Sequence, residues 1–483
     1  MSTDLEKLEP ALVWSYFLAL SAIPRASKQE AAAAAWCVAQ GRALGLEVET
    51  DAVGNVLIRK PGSPGHEGAP TVGMQAHIDM VCEKNEGTEH DFTRDPIRVR
   101  RDGDFLRATG TTLGADDGIG VAVGLAALAT PGLVHPPLEL LLTIDEETGL
   151  TGANELRAGW MRAKYLLNLD SEAEGFLTVG CAGGVDNELR RNVTWGPAPA
   201  GVALRVRVHG AKGGHSGGDI HLGRANAIRV LAQVLAAVDV PWRLASLGGG
   251  NKRNALPREA AAVVVVAAAD EARLRSVVTT QAAMWRDTYG AFDPGVTASV
   301  DAATATRVAS VADGLALVRL LLAVPHGVAE MSPAIADLVQ TSTNLGVVHT
   351  DEAGFEVVML TRSSIEANKL ALCDRIEAIG ALAGFECARV GGYPGWKPVP
   401  DAPLVGVARD AWRACSGRDL EVIAIHAGLE CGLIGEKYPG MQMVSFGPDV
   451  ADAHTPEERV SIPSTARFWE LLVEVLRRLA TAA

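Results

Sequence analysis

The stretch GMQAHIDMVC, residues 73–82, sets His77 and Asp79 two positions apart in an otherwise apolar run. Residues two apart in a strand share a face, so the imidazole and the carboxylate look into one space. Such a pair suits a metal ligand and its orienting acid; a satisfied core histidine beside a turn aspartate is the stronger reading when the pair stands alone. It does not stand alone. GTTLGADDGIG puts Asp116 and Asp117 side by side in a glycine-flanked loop before a helix, where aspartate also serves as a cap. LLTIDEETGLTGA ends an apolar strand with Asp145, Glu146 and Glu147, LLNLDSEAEG ends another with Asp170, and PDVADAHTPEERV carries His454 in a polar loop. Each has an ordinary explanation as a cap, a solvated turn or a surface histidine. Together those explanations need separate coincidences, whereas one metal centre accounts for all of them. Histidine and carboxylate donors without cysteine suit Zn²⁺, Mn²⁺ or Co²⁺ in a catalytic site rather than a structural thiolate zinc. The glycines Gly118, Gly120 and Gly124 lack the spacing and the preceding strand of a dinucleotide loop, so that reading is discounted.

Groups so far apart in sequence meet only if strand ends converge. Helical spacing marks 12–23 and 28–43, and EVETDAVGNVLIRKPG alternates and turns at Gly54-Asn55 as a hairpin. TVGMQAHIDM and PLELLLTIDEE are apolar strands, with the helix GVAVGLAALAT, ended by Pro131-Gly132, between them. Helices alternating with apolar strands predict an α/β fold: a mixed, largely parallel sheet flanked by helices, with ligands at the strand ends. After AGGVDNELRRN the texture changes to GVALRVRVHGAKGGHSGG, which opens a second architecture. Its order of strand, helix, hairpin, helix (204–208, 225–237, 255–267, 272–289) recurs over 313–383, a weak duplication without clear sequence identity. GGYPGWKPVPDAP then returns the chain to the first architecture, whose helices and an apolar strand, MQMVSFGP, resume. The expected domains are 1–187 with 398–483, and an inserted α+β domain over 188–397.

At 483 residues the chain exceeds the usual single core, in keeping with two domains. A formal net charge of −14 argues against nucleic acid or an anionic membrane as partner and leaves small molecules and cations. The start, MSTDLEKLEP, is acidic, and the apolar run at 11–23 contains serines and stops at Pro24, so neither a signal peptide nor a membrane span is expected; the run at 260–269 is too short to cross a bilayer. Seven scattered cysteines without a CxxC pair suit reduced thiols in a cytoplasm.

The motifs SAIPRASKQE, AHIDMVCEKN, TTLGADDGIG, DEETGLTGA, NLDSEAEG, GAKGGHSGGDIHLGRANA, IHAGLECG and DAHTPEERV, in that order, resemble the M20 family of metallopeptidases along nearly the whole chain. The likeness is to its aminoacyl-histidine dipeptidase type, also called cytosol non-specific or PepD-type. It implies a catalytic domain of zinc-peptidase type with an inserted lid and dimerisation domain. It also implies two divalent metal ions per subunit, Zn²⁺ first, with Mn²⁺ or Co²⁺ as options. Asp116 would bridge the ions, His77 and Asp170 completing one, Glu147 and His454 the other. Asp79 would clamp the His77 ring, and Glu146 would be the general base. The charge count agrees: three ligand carboxylates leave one positive charge on two divalent ions, which favours a bridging hydroxide.

In the inserted domain the resemblance gives His215, in GHSG, an oxyanion-holding role, and Asn254 and Arg362 the substrate carboxylate. Each is equally a turn or hairpin-surface residue. Glu430 would face the substrate's free amine, or stand as a helix-surface acid. Asp117 departs from the Asn usual in the close subfamily and leaves metal preference open. The expectation is a cytoplasmic, homodimeric dipeptidase of unblocked dipeptides, including carnosine-like Xaa-His substrates. An aminoacylase or other amidohydrolase acting on N-acyl amino acids, and a non-catalytic metal-binding homologue, are the alternatives.

Overall fold

The strand Val72–His77 is buried at every position, which a single-faced strand would not be. It pairs in parallel with Leu138–Thr143, also wholly buried, and with Tyr165–Asn168. Tyr165–Asn168 pairs in parallel with Gln442–Ser445. Burial on both faces explains the continuous apolar runs of these strands. The full sheet runs Glu47–Thr50, Val56–Lys60, Leu138–Thr143, Val72–His77, Tyr165–Asn168, Gln442–Ser445, Phe176–Cys181, Glu421–Ile425. Its first three strands join antiparallel, the hairpin turning near Gly54 as expected. A mixed sheet with a parallel centre results, and its four parallel strands point their C-terminal ends to one edge.

The computed structural model describes residues 5 and 7–482, so residues 1–4 and 6 of the acidic opening lie outside the described residues. Among the described residues no helix is long and apolar enough to cross a membrane. The chain divides into two compact units, one of 1–180, 398–424 and 429–483, the other of 181–397 with 425–428. The insertion thus reaches back to Cys181, and the returning chain dips into the second unit for four residues at Ile425–Gly428.

Two helices start later than their spacing predicts, for local reasons. The second begins at Ala31 because Lys28 takes a left-handed φ of 67° and the Glu30 carboxylate accepts from the amides of Lys28 and Asp145. The helix expected from Ala225 begins at Ala227, where the Asn226 side chain accepts from Arg229 N and caps it. The helix Ala115–Ala129 is buried along nearly its whole length, but Asp116 and Asp117 have non-helical backbone angles and the Asp116–Asp117 peptide is cis.

In the second unit the hairpin is Trp242–Gly249 with Ala260–Val266, earlier than 255–267. The sheet runs Thr297–Ala302, Val202–His209, Ala260–Val266, Trp242–Gly249, Val339–Thr350, Gly354–Ser363, Gly183–Asn192, Glu386–Tyr393, with Gly327–Met331 pairing off the path against Val339–Thr350. Its two halves match. In each, one strand sits antiparallel between the second arm of a hairpin and a final strand: Val202–His209 in the first half, Gly183–Asn192 in the second. The repeat over 313–383 therefore lacks a strand of its own, and takes it from a segment that precedes the first repeat. One face of the sheet, with Leu204, Val206 and Val208, packs against the helices Ala227–Ala237, Glu271–Tyr289, Val311–Ala323 and Glu366–Leu382 in a single apolar core.

Candidate metal centre

His77 ends its strand, Asp145–Glu147 follow Leu138–Thr143, and Asp170 follows Tyr165–Asn168. The parallel register brings them to one edge of the first unit. His77 is 1% exposed, and its Nε2 lies 3.1 Å from Asp116 Oδ1 and 3.5 Å from Asp170 Oδ1. His454, on a left-handed turn, places Nε2 3.0 Å from Asp116 Oδ2 and 3.1 Å from Glu147 Oε2. Asp116 therefore lies between two imidazoles, one carboxylate oxygen toward each. Donor atoms of His77, Asp116 and Asp170 lie within 4.8 Å of one another, as do those of Asp116, Glu147 and His454, and those of His77, Glu146 and Glu147. Asp116 is common to the first two groups, which are the ligand sets expected for two ions.

Asp79 is fully buried behind His77, its Oδ1 3.4 Å from His77 Nδ1. It also accepts from Ser27 Oγ at 2.7 Å and from the amides of Glu146 and Glu147 at 3.0 and 3.2 Å. Burial pushes its pKa up, but these donors hold it down at about 2. One carboxylate thus stands against the imidazole and fixes the turn that presents Glu146 and Glu147. Asp145 is taken up by its own turn, accepting from Thr148 and Thr151 hydroxyls. Asp117 accepts from His77 N and Gly120 N, which ties it to backbone, and among the described residues it belongs to none of the four candidate donor groups, the fourth being Glu30, Asp79 and Asp145.

Electrostatically the cluster is crowded with acid. Burial, with Asp170 and other carboxylates nearby, raises Glu146 well above its ordinary value. Burial lifts Asp170 to about 6 and, with Asp116 and Asp170 close by, Glu172 to about 8. Hydrogen bonds to Asp116 and Glu147 raise His454 to about 11; His77 is raised despite its burial by Asp170 and Asp116. Glu147 Oε1 is buried with no hydrogen-bond partner. Carboxylates converging between the buried His77 ring and the half-exposed His454 ring, one oxygen left unsatisfied, fit a divalent cation, which supplies the charge that side chains do not.

Several supporting residues lie inside quoted motifs without standing out from them. Glu458, 2% exposed, accepts from four successive amides: Leu113 and Gly114 on Oε2 at 2.7 and 2.9 Å, Ala115 and Asp116 on Oε1 at 2.7 and 3.3 Å. Arg25, 1% exposed, donates to the carbonyls of Ile78, Asp79 and Gly114. Together they staple the His77–Asp79 strand end to the Asp116 loop and the His454 turn. Glu172 stands against Asp116, and only its place two residues after Asp170 could have pointed to it.

Glu430 is fully buried at the start of Glu430–Lys437, with Oε2 accepting from Gln75 Nε2 at 2.6 Å and Thr143 Oγ1 at 2.7 Å. It is a core acid of the first unit rather than a helix-surface one, and burial brings its pKa to about 7. The other three expected residues lie in the second unit. His215 Nδ1 accepts from the amides of Gly217 and Gly218 at 3.3 and 3.0 Å, which leaves Nε2 to carry the proton of the neutral ring. Ser216 N donates to Asn254 O at 2.9 Å. Arg362 is 5% exposed, and its Nη1 donates to Tyr393 Oη at 2.8 Å.

The profile of peptidase family M20/M25/M40 matches residues 73–479. The chain is 40% identical to the cytosol non-specific dipeptidase of Escherichia coli over 99% of both chains. It is 41% identical to the crystal structure of an aminoacylhistidine dipeptidase from Vibrio alginolyticus, with a TM-score of 0.91 over 98% of each chain. The crystal structure of the aminopeptidase PepT from Bacillus cereus, 17% identical, shares the fold, with a TM-score of 0.58 over 98% of this chain and 100% of that one.

Proposed function

Because this chain belongs to the M20 family of metallopeptidases, we propose that it is a dinuclear-metal dipeptidase that hydrolyses unblocked dipeptides, Xaa-His among them. The observation that carries the reading is Asp116, whose two oxygens face His77 and His454 at 3.1 and 3.0 Å, the arrangement a carboxylate needs to serve two ions. His77 and Asp170 would hold one ion, Glu147 and His454 the other, with Zn²⁺ the first choice and Mn²⁺ or Co²⁺ alternatives. The bound ions would supply a deprotonated water and polarise the scissile carbonyl.

The remaining work falls to the chain. Glu146, kept beside the ligand groups by the hydrogen bond from its backbone N–H to Asp79, takes a proton from the attacking water and passes it to the leaving amine. His215, with Nδ1 engaged by two amides, offers Nε2–H to a developing oxyanion. Arg362, buried, takes the substrate carboxylate with Asn254. A cytoplasmic homodimer, with the second unit as lid, belongs to the same reading.

The test is a panel of unblocked dipeptides and N-acyl amino acids assayed with Zn²⁺, Mn²⁺ or Co²⁺ added to metal-free protein. Turnover of dipeptides is expected; turnover of N-acyl amino acids alone overturns the reading. Glu146→Gln should bind metal as the wild type does and lose nearly all turnover.

A further inference from the structure

The second unit holds a hollow of 170 Å³ bordered by Gly184, Asp186, Arg253, Asn254, Arg362 and Tyr393. Its construction follows from strand register. Arg362 pairs with Gly184, and Gly184 with Tyr393, so the three share one rung and one face. Gly184 forms the bare floor: a Cβ there would sit 2.8 Å from the Tyr393 ring and hydroxyl. The next rung on that face pairs Leu360 with Asp186. The hollow therefore has a guanidinium on one rung and a carboxylate on the next.

Both charges are buried and incompletely satisfied. Arg362 has no hydrogen-bond partner at Nε, and among the described residues no carboxylate lies within ion-pair distance of it. Asp186 is 4% exposed; Arg253 binds its Oδ2, while Oδ1 is buried with no partner. An acceptor left in that state is costly, and a ligand that donates to it gains the difference. A ligand suited to both poles carries an anion at one end and an N–H donor a few atoms away.

Resting on the dipeptidase reading above, we propose that this hollow reads the substrate's C-terminal residue, Arg362 taking its carboxylate and Asp186 accepting an N–H from its side chain. Histidine satisfies both groups and leaves nothing unpaired. A C-terminal leucine fills space but leaves Asp186 Oδ1 without a donor, the kind of loss by which polar sites reject apolar analogues. Asp186 is thereby a specificity-determining residue, and the preference for Xaa-His resides in the second unit.

Asp186→Asn tests this with little change of shape, because Arg253 keeps the amide oxygen at the Oδ2 position and turns the NH₂ toward the substrate donor. The measurement is kcat/KM for Ala-His and for Ala-Leu in the metal-loaded wild type, Asp186→Asn and Asp186→Ala. The ratio of Ala-His to Ala-Leu should fall ~10–100-fold in both variants, mostly through KM for Ala-His, with Ala-Leu within about twofold of wild type. An unchanged ratio, or equal losses on both peptides, overturns the proposal while leaving dipeptidase activity intact. Wild-type protein that turns over no unblocked dipeptide overturns the dipeptidase reading and this inference with it.

Discussion

Replacing Glu458 by glutamine changes one atom and should loosen the loop that carries Asp116. The carboxylate accepts two amides on each oxygen, and Gln keeps one oxygen while turning an NH₂ toward the other pair of N–H groups. Bonds to a charged acceptor contribute roughly 1.5–3 kcal/mol each, so two lost bonds amount to about 3–6 kcal/mol before relaxation. Loop movement and entering water recover part, leaving ~2–4 kcal/mol on local opening of the loop. Hydrogen exchange of the Leu113–Asp116 amides in metal-free protein reads this directly, since 2 kcal/mol corresponds to about 30-fold faster exchange. Because Asp116 rides on that loop, calorimetric titration with Zn²⁺ should show affinity lower by ~10–100-fold. Glu457→Gln is the control: the same substitution one residue earlier, on a side chain 68% exposed beside Arg107, should leave exchange unchanged and cost under about 0.5 kcal/mol. Unchanged protection and unchanged Zn²⁺ affinity in Glu458→Gln would refute the reasoning.

Other consequences follow from the same geometry. His454 and His77 are raised above 6.5, and Glu146, Asp170 and Glu172 above their ordinary carboxylate values, so at this cluster the folded metal-free protein holds more protons than the unfolded chain. Its stability should therefore fall as pH rises from about 5 to 8, while bound metal displaces those protons and gains affinity; melting with and without chelator should show a gap that widens with pH. His77→Ala should cost metal, about 100-fold or more in affinity, whereas Asp79→Asn should chiefly cost kcat; equal metal loss in both would remove the distinction between ligand and orienter. Gly120→Ala drives a Cβ to within 2.3 Å of Asp117 Oδ1 and should destabilise the protein by about 1–3 kcal/mol in denaturant titration.

What the sequence disclosed and what it hid follow one rule. His77, Asp116, Glu147 and Asp170 stand out because each interrupts an apolar or glycine-rich pattern at the end of a strand or the start of a helix, and patterning is what a sequence displays. Glu458 interrupts nothing. It reads as one more acid in PEER, and its four partners lie more than three hundred residues upstream. Arg25 is similarly hidden, since a cation is ordinarily exposed and only the carbonyls of Ile78, Asp79 and Gly114 explain its burial. The parallel centre of the first sheet was legible from its continuous apolar runs. The second sheet's order was not: nothing in AGGVDNELRRN announces a strand whose neighbours arrive last.

That displaced strand sets a schedule. Asn192 pairs with Gly354, 354 − 192 = 162 positions later, and on a ribosome adding about 5–20 residues per second the partner follows after roughly 8–30 s. During that interval the first repeat can close on its own strands, while Gly183–Asn192 waits with both edges open. Its alternating Asp186, Glu188 and Arg190 are a suitable guard for a strand that must stay unpaired among other nascent chains. The second unit is thus completed from both ends of its insertion, its earliest strand the last to be used.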